Sequence, residues 1–330
     1  MKGKSLLSID PYRIFNIKPK QFESLALEVF QYQQNHNPIY KAFVEALGID
    51  DRLVQSLNEI PLMPVEFFKN FEIKTGKFTP EITFLSSGTT GMSRSKHLIK
   101  DVHFYKASFL GCFEHFFGQI DDFLILAFLP NYIEQGHSSL VHMMSEMINQ
   151  SKNSDSGFYD HKENKWMDVL DRNSGHKKIL IFGVSFALLD ISENLSKQIN
   201  SHIILMETGG MKGRRKEIVR EELHEKLKES FGLKNICSEY GMTEIMSQAY
   251  SKGDGIFNCA PWMKVLTKSI TDPFENQFGN RGKIGIIDLA NIHSCSFIQT
   301  HDLGKVYPSG RFEIIGRADN SDLRGCNLMY

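Results

Sequence analysis

Cysteine is sparse and unpatterned in this sequence: there are five residues, an odd number, with no CxxC spacing. That excludes a disulfide framework or a zinc ribbon and fits a reducing, cytoplasmic setting. Net charge is nearly absent too, with 38 basic residues against 39 acidic ones. No overall field therefore draws the chain to nucleic acid or to an anionic membrane. Long apolar runs are missing; stretches such as Phe123 to Leu129 stop far short of the roughly 20 residues that span a bilayer. The opening MKGKSLLSIDPYRIF carries only a two-leucine apolar stretch, too little for a secretory signal. There are no internal repeats and no low-complexity linker. What is present is a 41% apolar fraction over 330 residues, enough for a full core in one large domain or two ordinary ones.

The apolar pattern implies layers. Residues 21–35 place Phe22, Leu25, Ala26, Val29 and Phe30 at helical spacing, and a short helix from Tyr40 to Leu47 ends at Gly48. Around Pro61 and Pro64 the chain must run extended. From residue 81 the texture becomes strand–helix alternation. EITFL leads into a glycine-rich turn and a helix through Tyr105 and Phe109, FLILAFL into a helix near 137–148, and KILIFGV into one near 188–199. HIILM leads into a charged helix over 214–230 that Gly232 can cap, and NICSEYG into a helix over 243–249. Past residue 255, KIGIIDL, SFIQTHDLGKV and GRFEIIGR read as an antiparallel meander or small barrel. The expected fold is α/β: layered, mostly parallel sheets flanked by helices, with a small C-terminal antiparallel part. No boundary between independent domains is apparent, so 1–330 reads as one body: helical to residue 80, α/β over 81–255 and β-rich over 256–330. The polar stretch 151–157, SKNSDSG, is the best candidate for a mobile loop.

Several short motifs could carry chemistry. In FLSSGTTGMSRSK, residues Ser86, Ser87, Gly88, Thr89, Thr90 and Gly91 crowd together after a strand, with Arg94 and Lys96 following. Small residues let backbone N–H groups curl around an anion, and hydroxyls add donors. The spacing is not that of a P-loop, and an ordinary Gly/Ser/Thr turn is the plain alternative. In SEYGMTE, Tyr240 offers a flat face before Gly241, Thr243 a hydroxyl at a helix start, and Glu244 a hard carboxylate for Mg²⁺. Equally, Thr243 could be an N-cap and Glu244 a first-turn acid complementing the helix dipole. Gly209 and Gly210 follow a strand and allow close approach of a flat ligand, or simply make a tight turn. Asp302 in THDLG is read in a turn between strands, and Arg317 in GRADNSDLRGC could pair bidentately with phosphate. The run Arg214-Arg215-Lys216 serves equally well as a solvated face. The pairs His137/His142 and His97/His103 lack metal-ligand spacing and a third partner.

It is the order of these motifs that is distinctive. A Ser/Thr/Gly loop, GG, YGxTE, a turn Asp and GR-x-D resemble the adenylate-forming superfamily of acyl-CoA synthetases, adenylation domains and luciferases. Within it the chain most resembles acyl-protein synthetases of the LuxE type. The likeness extends through IPLMPVEFFKN (60–70), LPNYIEQGHSSL (129–140), TGGMKGR (208–214) and the terminal GRADNSDLRGCNLMY. The resemblance implies that Ser86 to Gly91 embrace the phosphates of ATP. It likewise implies that Gly209, Gly210, Tyr240 and Gly241 frame the adenine, with Thr243 near the α-phosphate. Glu244 would hold Mg²⁺, Asp302 the ribose, and Arg317 the ribose or phosphate. The superfamily's usual proline–lysine after the glycine-rich loop is replaced here by Met92-Ser93-Arg94-Ser95-Lys96.

The resemblance also implies a reaction: a carboxylic acid, in this family a fatty acid, is activated as acyl-AMP and passed to a thiol. Cys326 stands in the terminal LRGC context where LuxE-type enzymes carry the acyl group as a thioester before handing it to a partner protein. Arg324 supplies an adjacent cation and Gly325 a flexible neighbour. Cys112, Cys237 and Cys259 read as structural. Superfamily members usually continue past GR-x-D into a mobile domain of about 100 residues bearing a catalytic lysine, whereas Tyr330 follows Asp319 by eleven residues. Two alternatives stay open: an acid–CoA ligase of the phenylacetate type, and a non-catalytic nucleotide-binding subunit of an acyl-transfer complex.

Overall fold

Apolar runs without alternation belong to strands covered on both faces, and those with helical spacing to surface helices; both kinds organise this chain. A computed structural model describes residues 10–86, 94–130, 137–173, 178–195, 203–209, 218–271 and 279–317. In chain order the elements are α1 (Phe22–His36), α2 (Pro38–Ala46), β1 (Met63–Pro64), α3 (Phe67–Asn70), β2 (Ile82–Leu85), β3 (Lys96–Ile99), α4 (Val102–Phe117) and β4 (Phe123–Phe128). They continue with α5 (Ser139–Gln150), β5 (Gly157–Phe158), α6 (Lys165–Asn173), β6 (Lys178–Val184), α7 (Ser185–Asn194), β7 (Ile203–Thr208) and α8 (Arg220–Phe231). The last strands are β8 (Cys237–Tyr240), β9 (Ala249–Ser251), β10 (Ile256–Cys259), β11 (Met263–Lys268), β12 (Arg281–Asp288), β13 (Phe297–Val306) and β14 (Phe312–Arg317).

The chain divides into two compact units. The first comprises Met1–Ser108, Glu244–Ser247 and Cys259–Tyr330, and the second Phe109–Thr243 and Gln248–Asn258.

The first unit is built on the antiparallel run β11-β12-β13-β14, the expected meander, with β1 lying parallel against the first half of β13. α1 turns Phe22, Leu25, Ala26, Val29 and Phe30 into the core. At its end Gln33 accepts from Ser296 N–H (2.9 Å) and donates to Asn291 O (3.1 Å). Asn37 caps α2 by accepting from Tyr40 N–H (3.0 Å), and its amide donates to Ser294 O (2.8 Å). These buried amides tie the N-terminal helices to residues more than 250 positions away. The helix expected through Tyr105 and Phe109 is α4, but a strand not expected from the sequence, β3, precedes it and pairs antiparallel with β2 in a two-stranded hairpin.

The second unit carries the parallel strands, in the order β8-β7-β6-β4-β5, with β9 antiparallel against β8 and β10 beyond it. All six residues of β4 are fully buried, which is why FLILAF shows no alternation. α8 starts at Arg220 and ends at Gly232, whose φ of +71° is the left-handed cap expected from the sequence. The stretch 151–157 is a closed turn rather than a loose loop. Ser151 Oγ donates to Ile148 O (2.7 Å) and to Ser156 Oγ (2.9 Å), and Asn153 accepts from Asp155 N–H (3.0 Å). Among the described residues no helix is long and apolar enough to cross a membrane.

Candidate active site

In the first unit the β2–β3 hairpin closes on two serines. Ser86 N–H donates to Ser95 O (3.0 Å), and Ser95 N–H donates back to Ser86 Oγ (2.9 Å). Ser86 therefore clasps the neck of the loop. Ser87, Gly88, Thr89, Thr90 and Gly91 lie outside the described residues. Ser95 is buried and also hydrogen-bonds the carboxyl of Glu244. The sequence reading missed it, although its place just before the short apolar run HLI was a usable signal for a strand start.

Glu244 is set by a turn, not by a helix. The helix expected over 243–249 is absent; the chain turns and enters β9. The physical reason is Asp288, fully buried at the end of β12. Its Oδ2 accepts from the N–H groups of Met246 and Ser247 (both 2.9 Å), and its Oδ1 from Ser247 Oγ (2.7 Å) and Ala290 N–H (3.0 Å). Asn291 accepts from Met246 N–H (2.9 Å) and donates to Glu244 O (2.7 Å). Backbone groups that a helix would use are thus committed to partners over 40 residues away. Thr243 accordingly is no helix N-cap. Burial pushes the Glu244 carboxyl above the usual carboxylate range, while the Ser95 hydrogen bond and the charges of Arg317 and Lys69 pull it back.

Asp302 and Arg317 are register partners across β13 and β14, with Arg317 Nε 3.5 Å from Asp302 Oδ1. Asp302 was expected in a turn; it lies inside β13, where the register slips between Leu303 and Gly304. A Cβ on Gly304 would collide with the carbonyl of Glu313, so the glycine that suggested a turn instead permits a bulge. The Asp302 side chain is 13% exposed and that of Arg317 70%.

In the second unit the candidates sit at the C-terminal ends of β7 and β8, the end where open α/β sheets receive ligands. Gly209, with φ +68°, accepts at its carbonyl from Ser185 Oγ (3.0 Å); Gly210 lies outside the described residues. The Tyr240 ring meets Phe257 edge-on at 5.9 Å, and the Arg220 guanidinium lies 5.1 Å over Phe257. On one face of the β7–β8 pair, buried Glu207 receives Arg220 Nε (3.2 Å), His224 Nε2 (3.4 Å) and Ser185 Oγ (3.2 Å). Burial works to raise its carboxyl, but His224, Arg220 and Ser238 together hold it below the usual range.

On the other face stands Glu239, 7% exposed, register partner of Thr208, whose hydroxyl donates to it. Burial, with Glu207 nearby, pushes its carboxyl up to about 7 against the Thr208 hydrogen bond. A Cβ on Gly241 would stand 2.5 Å from Glu239 Oε1 and 3.5 Å from Gln248 Cγ, so a side chain here would displace the end of the Glu239 carboxylate. Glu207, Arg220, Glu239 and Gln248 were not singled out from the sequence. Charged residues are by default exposed, and only the register of β7 on β8 reveals which are not.

Of the cysteines expected to be structural, Cys112 and Cys237 are buried and Cys259 is half-buried, and burial raises the Cys237 thiol to about 11. Cys326 and the run Arg214-Arg215-Lys216 lie outside the described residues. Among the described residues no cluster of three or more His, Cys, Asp or Glu could hold a metal.

The α/β architecture recurs in solved structures of low sequence identity. ATP-bound MatB from Rhodopseudomonas palustris superposes with a TM-score of 0.54 at 16% identity, over 73% of this chain and 49% of MatB. This chain thus spans about half the length of MatB. A 2-hydroxyisobutyryl-CoA ligase in complex with 2-HIB-AMP and CoA superposes with a TM-score of 0.64 at 14% identity, over 97% of this chain and 74% of the ligase. The same ligase in its postadenylation state gives 0.64 at 13% identity, over 96% and 73%. At these identities the likeness is one of fold. No family profile matches the chain, and no curated protein sequence does.

Proposed function

We propose that this chain activates a carboxylic acid with ATP, and that the acyl group then passes to a thiol, Cys326 or that of a partner protein, as in acyl-protein synthetases of the LuxE type. The observation that carries the reading is the charge arrangement in the first unit. Asp302 and Arg317 pair across adjacent strands, and buried Glu244 feels the charge of Arg317. This stands in a fold whose solved examples hold ATP or an acyl-adenylate.

A carboxylate is a poor acyl donor because its leaving group would be oxide. Attack of a carboxylate oxygen on the α-phosphorus of ATP forms the mixed anhydride and expels pyrophosphate. A thiolate then attacks the acyl carbon, the C–O bond to AMP breaks, and AMP departs with the electron pair. The contribution of this chain is positioning and charge neutralisation. Asp302 accepts from ribose hydroxyls and Arg317 swings onto phosphate. Glu244 suits Mg²⁺, which takes one or two carboxylates and completes its shell with phosphate oxygens and water. When bound, that ion neutralises phosphate charge.

ATP–pyrophosphate exchange that requires a carboxylic acid tests the first step. For the second, radiolabelled acid should leave a thiol-labile label on the protein; equal labelling of Cys326→Ser would remove the cysteine from the scheme. The CoA in the ligase complex favours one second reading, in which free CoA accepts the acyl group and Cys326 is dispensable.

A further inference from the structure

The single turn of α3 is fastened to two strands that bear residues of the Glu244 site. Its approach joins β13: Met63 and Pro64 pair with Ile298 and Gln299, and Val65 N–H donates to Gln299 O (3.0 Å). Glu66, at the N-cap of α3, then pairs through its carboxylate with Nε2 of His301, the residue before Asp302. The buried Phe68 ring meets His97 of β3 edge-on at 5.7 Å, two residues past Ser95, which bonds Glu244. Lys69 follows one turn after Glu66, with its N–H donating to Glu66 O (2.9 Å), and its side chain is exposed. The ammonium charge of Lys69 acts on the Glu244 carboxyl together with the charge of Arg317. A buried carboxyl thus feels two cations carried by separate elements, α3 and β14. Arg317 has its register partner in Asp302, and Lys69 takes no part in that pair. A surface lysine that merely offsets the burial of Glu244 is the plain alternative.

We propose that Lys69 is a nucleotide-binding residue whose ammonium neutralises the β- and γ-phosphates of ATP. The proposal rests on the placement of ATP in the acid-activating reading above and adds a residue to it. There Asp302 takes the ribose, so its register partner Arg317 stands at the ribose end of the phosphate chain. In phosphoryl-transfer sites a divalent ion on the nucleotide bridges β- and γ-oxygens, so Glu244, the carboxylate suited to Mg²⁺, marks the far end. The cation that acts on Glu244 from α3, apart from the Asp302–Arg317 pair, is therefore the one set to meet the departing pyrophosphate. Contacts between an ammonium and phosphate oxygens are charge-assisted, and lysine makes them as a point charge that needs no fixed plane. Anchoring through Glu66 and Phe68 holds the backbone from which that charge extends.

The test is equilibrium binding of ATP and of AMP to the full chain with Mg²⁺ present, in the parent, Lys69→Gln and Lys69→Arg. AMP shares the base, the ribose and the α-phosphate but lacks the two phosphates assigned to Lys69. Lys69→Gln is expected to weaken ATP at least tenfold and AMP less than twofold. Lys69→Arg, which keeps the charge, should recover most of that loss. In acid-dependent pyrophosphate exchange, Lys69→Gln should raise the KM for ATP in step while the KM for the acid stays within twofold. A merely structural role would weaken both nucleotides alike, so the ratio of the two affinities separates the cases. Affinities that both stay within twofold of the parent, or that fall together, would overturn the proposal and leave Lys69 a surface charge offsetting the burial of Glu244. A parent that binds both nucleotides but exchanges pyrophosphate with no acid would overturn the acid-activating reading, while the ratio of ATP to AMP would still decide for or against Lys69. A parent that binds neither nucleotide would overturn both.

Discussion

Replacing Asp288 by Asn alters one atom of a buried carboxylate and so isolates what its four hydrogen bonds do. In the native protein one oxygen receives Met246 and Ser247 N–H and the other receives Ser247 Oγ and Ala290 N–H, all between 2.7 and 3.0 Å. An amide keeps one acceptor oxygen, and its NH₂ faces either two N–H donors or Ala290 N–H and the Ser247 hydroxyl, of which only the hydroxyl can accept, so one or two bonds are lost according to how it sits. Hydrogen bonds to a charged group contribute about 1.5–3 kcal/mol each. Burial, which raises the Asp288 carboxyl despite its donors, means that neutralising it returns part of this. The net loss should be about 2–4 kcal/mol. Trp262 reports on it directly, because its Nε1–H donates to Ser247 Oγ (2.9 Å). The sequence has only two tryptophans, so a Trp166→Phe background leaves fluorescence in the first unit alone. Urea unfolding in that background should shift its midpoint down with an unchanged slope. Since the same turn carries Glu244, acid-dependent exchange should fall about tenfold or more. A midpoint within about 0.5 kcal/mol of the parent would refute the idea that Asp288 holds this turn in place of a helix.

Two further outcomes follow from named charges. Glu239 ionises at about 7 in the folded protein against an ordinary 4.5, so between those values the folded state holds a proton that the unfolded state has released. Its contribution to stability is therefore lost as pH rises through this window, by about 3 kcal/mol once above it. Glu239→Gln should match the parent below pH 4.5 and exceed it by about that amount at pH 8 in urea unfolding; parallel pH profiles would contradict the burial of this carboxyl. Arg317→Ala should leave unfolding unchanged within about 0.5 kcal/mol, since an exposed pair at 3.5 Å is worth little. Acid-dependent exchange should nevertheless fall a hundredfold or more, and a variant that keeps full exchange would exclude Arg317 from phosphate.

Local chemistry made most of the fold legible. FLILAF and KILIFGV show no alternation because parallel strands are covered on both faces, and Gly232 ends α8 as a left-handed cap should. What escaped was decided at a distance. Nothing in GMTEIMSQA forbids a helix; the turn exists because Asp288 and Asn291 take its amides. HDLGK carries turn residues, yet Gly304 permits a bulge within β13. Of the candidate site, the motif order was visible and Asp302 with Arg317 proves to be a register pair. Ser95, Glu239 and Gln248 were not visible, because polar residues announce neither burial nor partners until the strands beside them are set.

Acid activation through an adenylate has a direct isotopic signature. With substrate acid labelled by ¹⁸O in both carboxylate oxygens, one labelled oxygen becomes the bridge to phosphorus. After acyl transfer to a thiol or to hydroxylamine it leaves on the nucleotide. Mass spectrometry of the products should therefore find one ¹⁸O in AMP, unlabelled pyrophosphate, and no ADP. Label in inorganic phosphate alongside ADP, or unlabelled AMP formed at the same rate without any acid, would contradict the account.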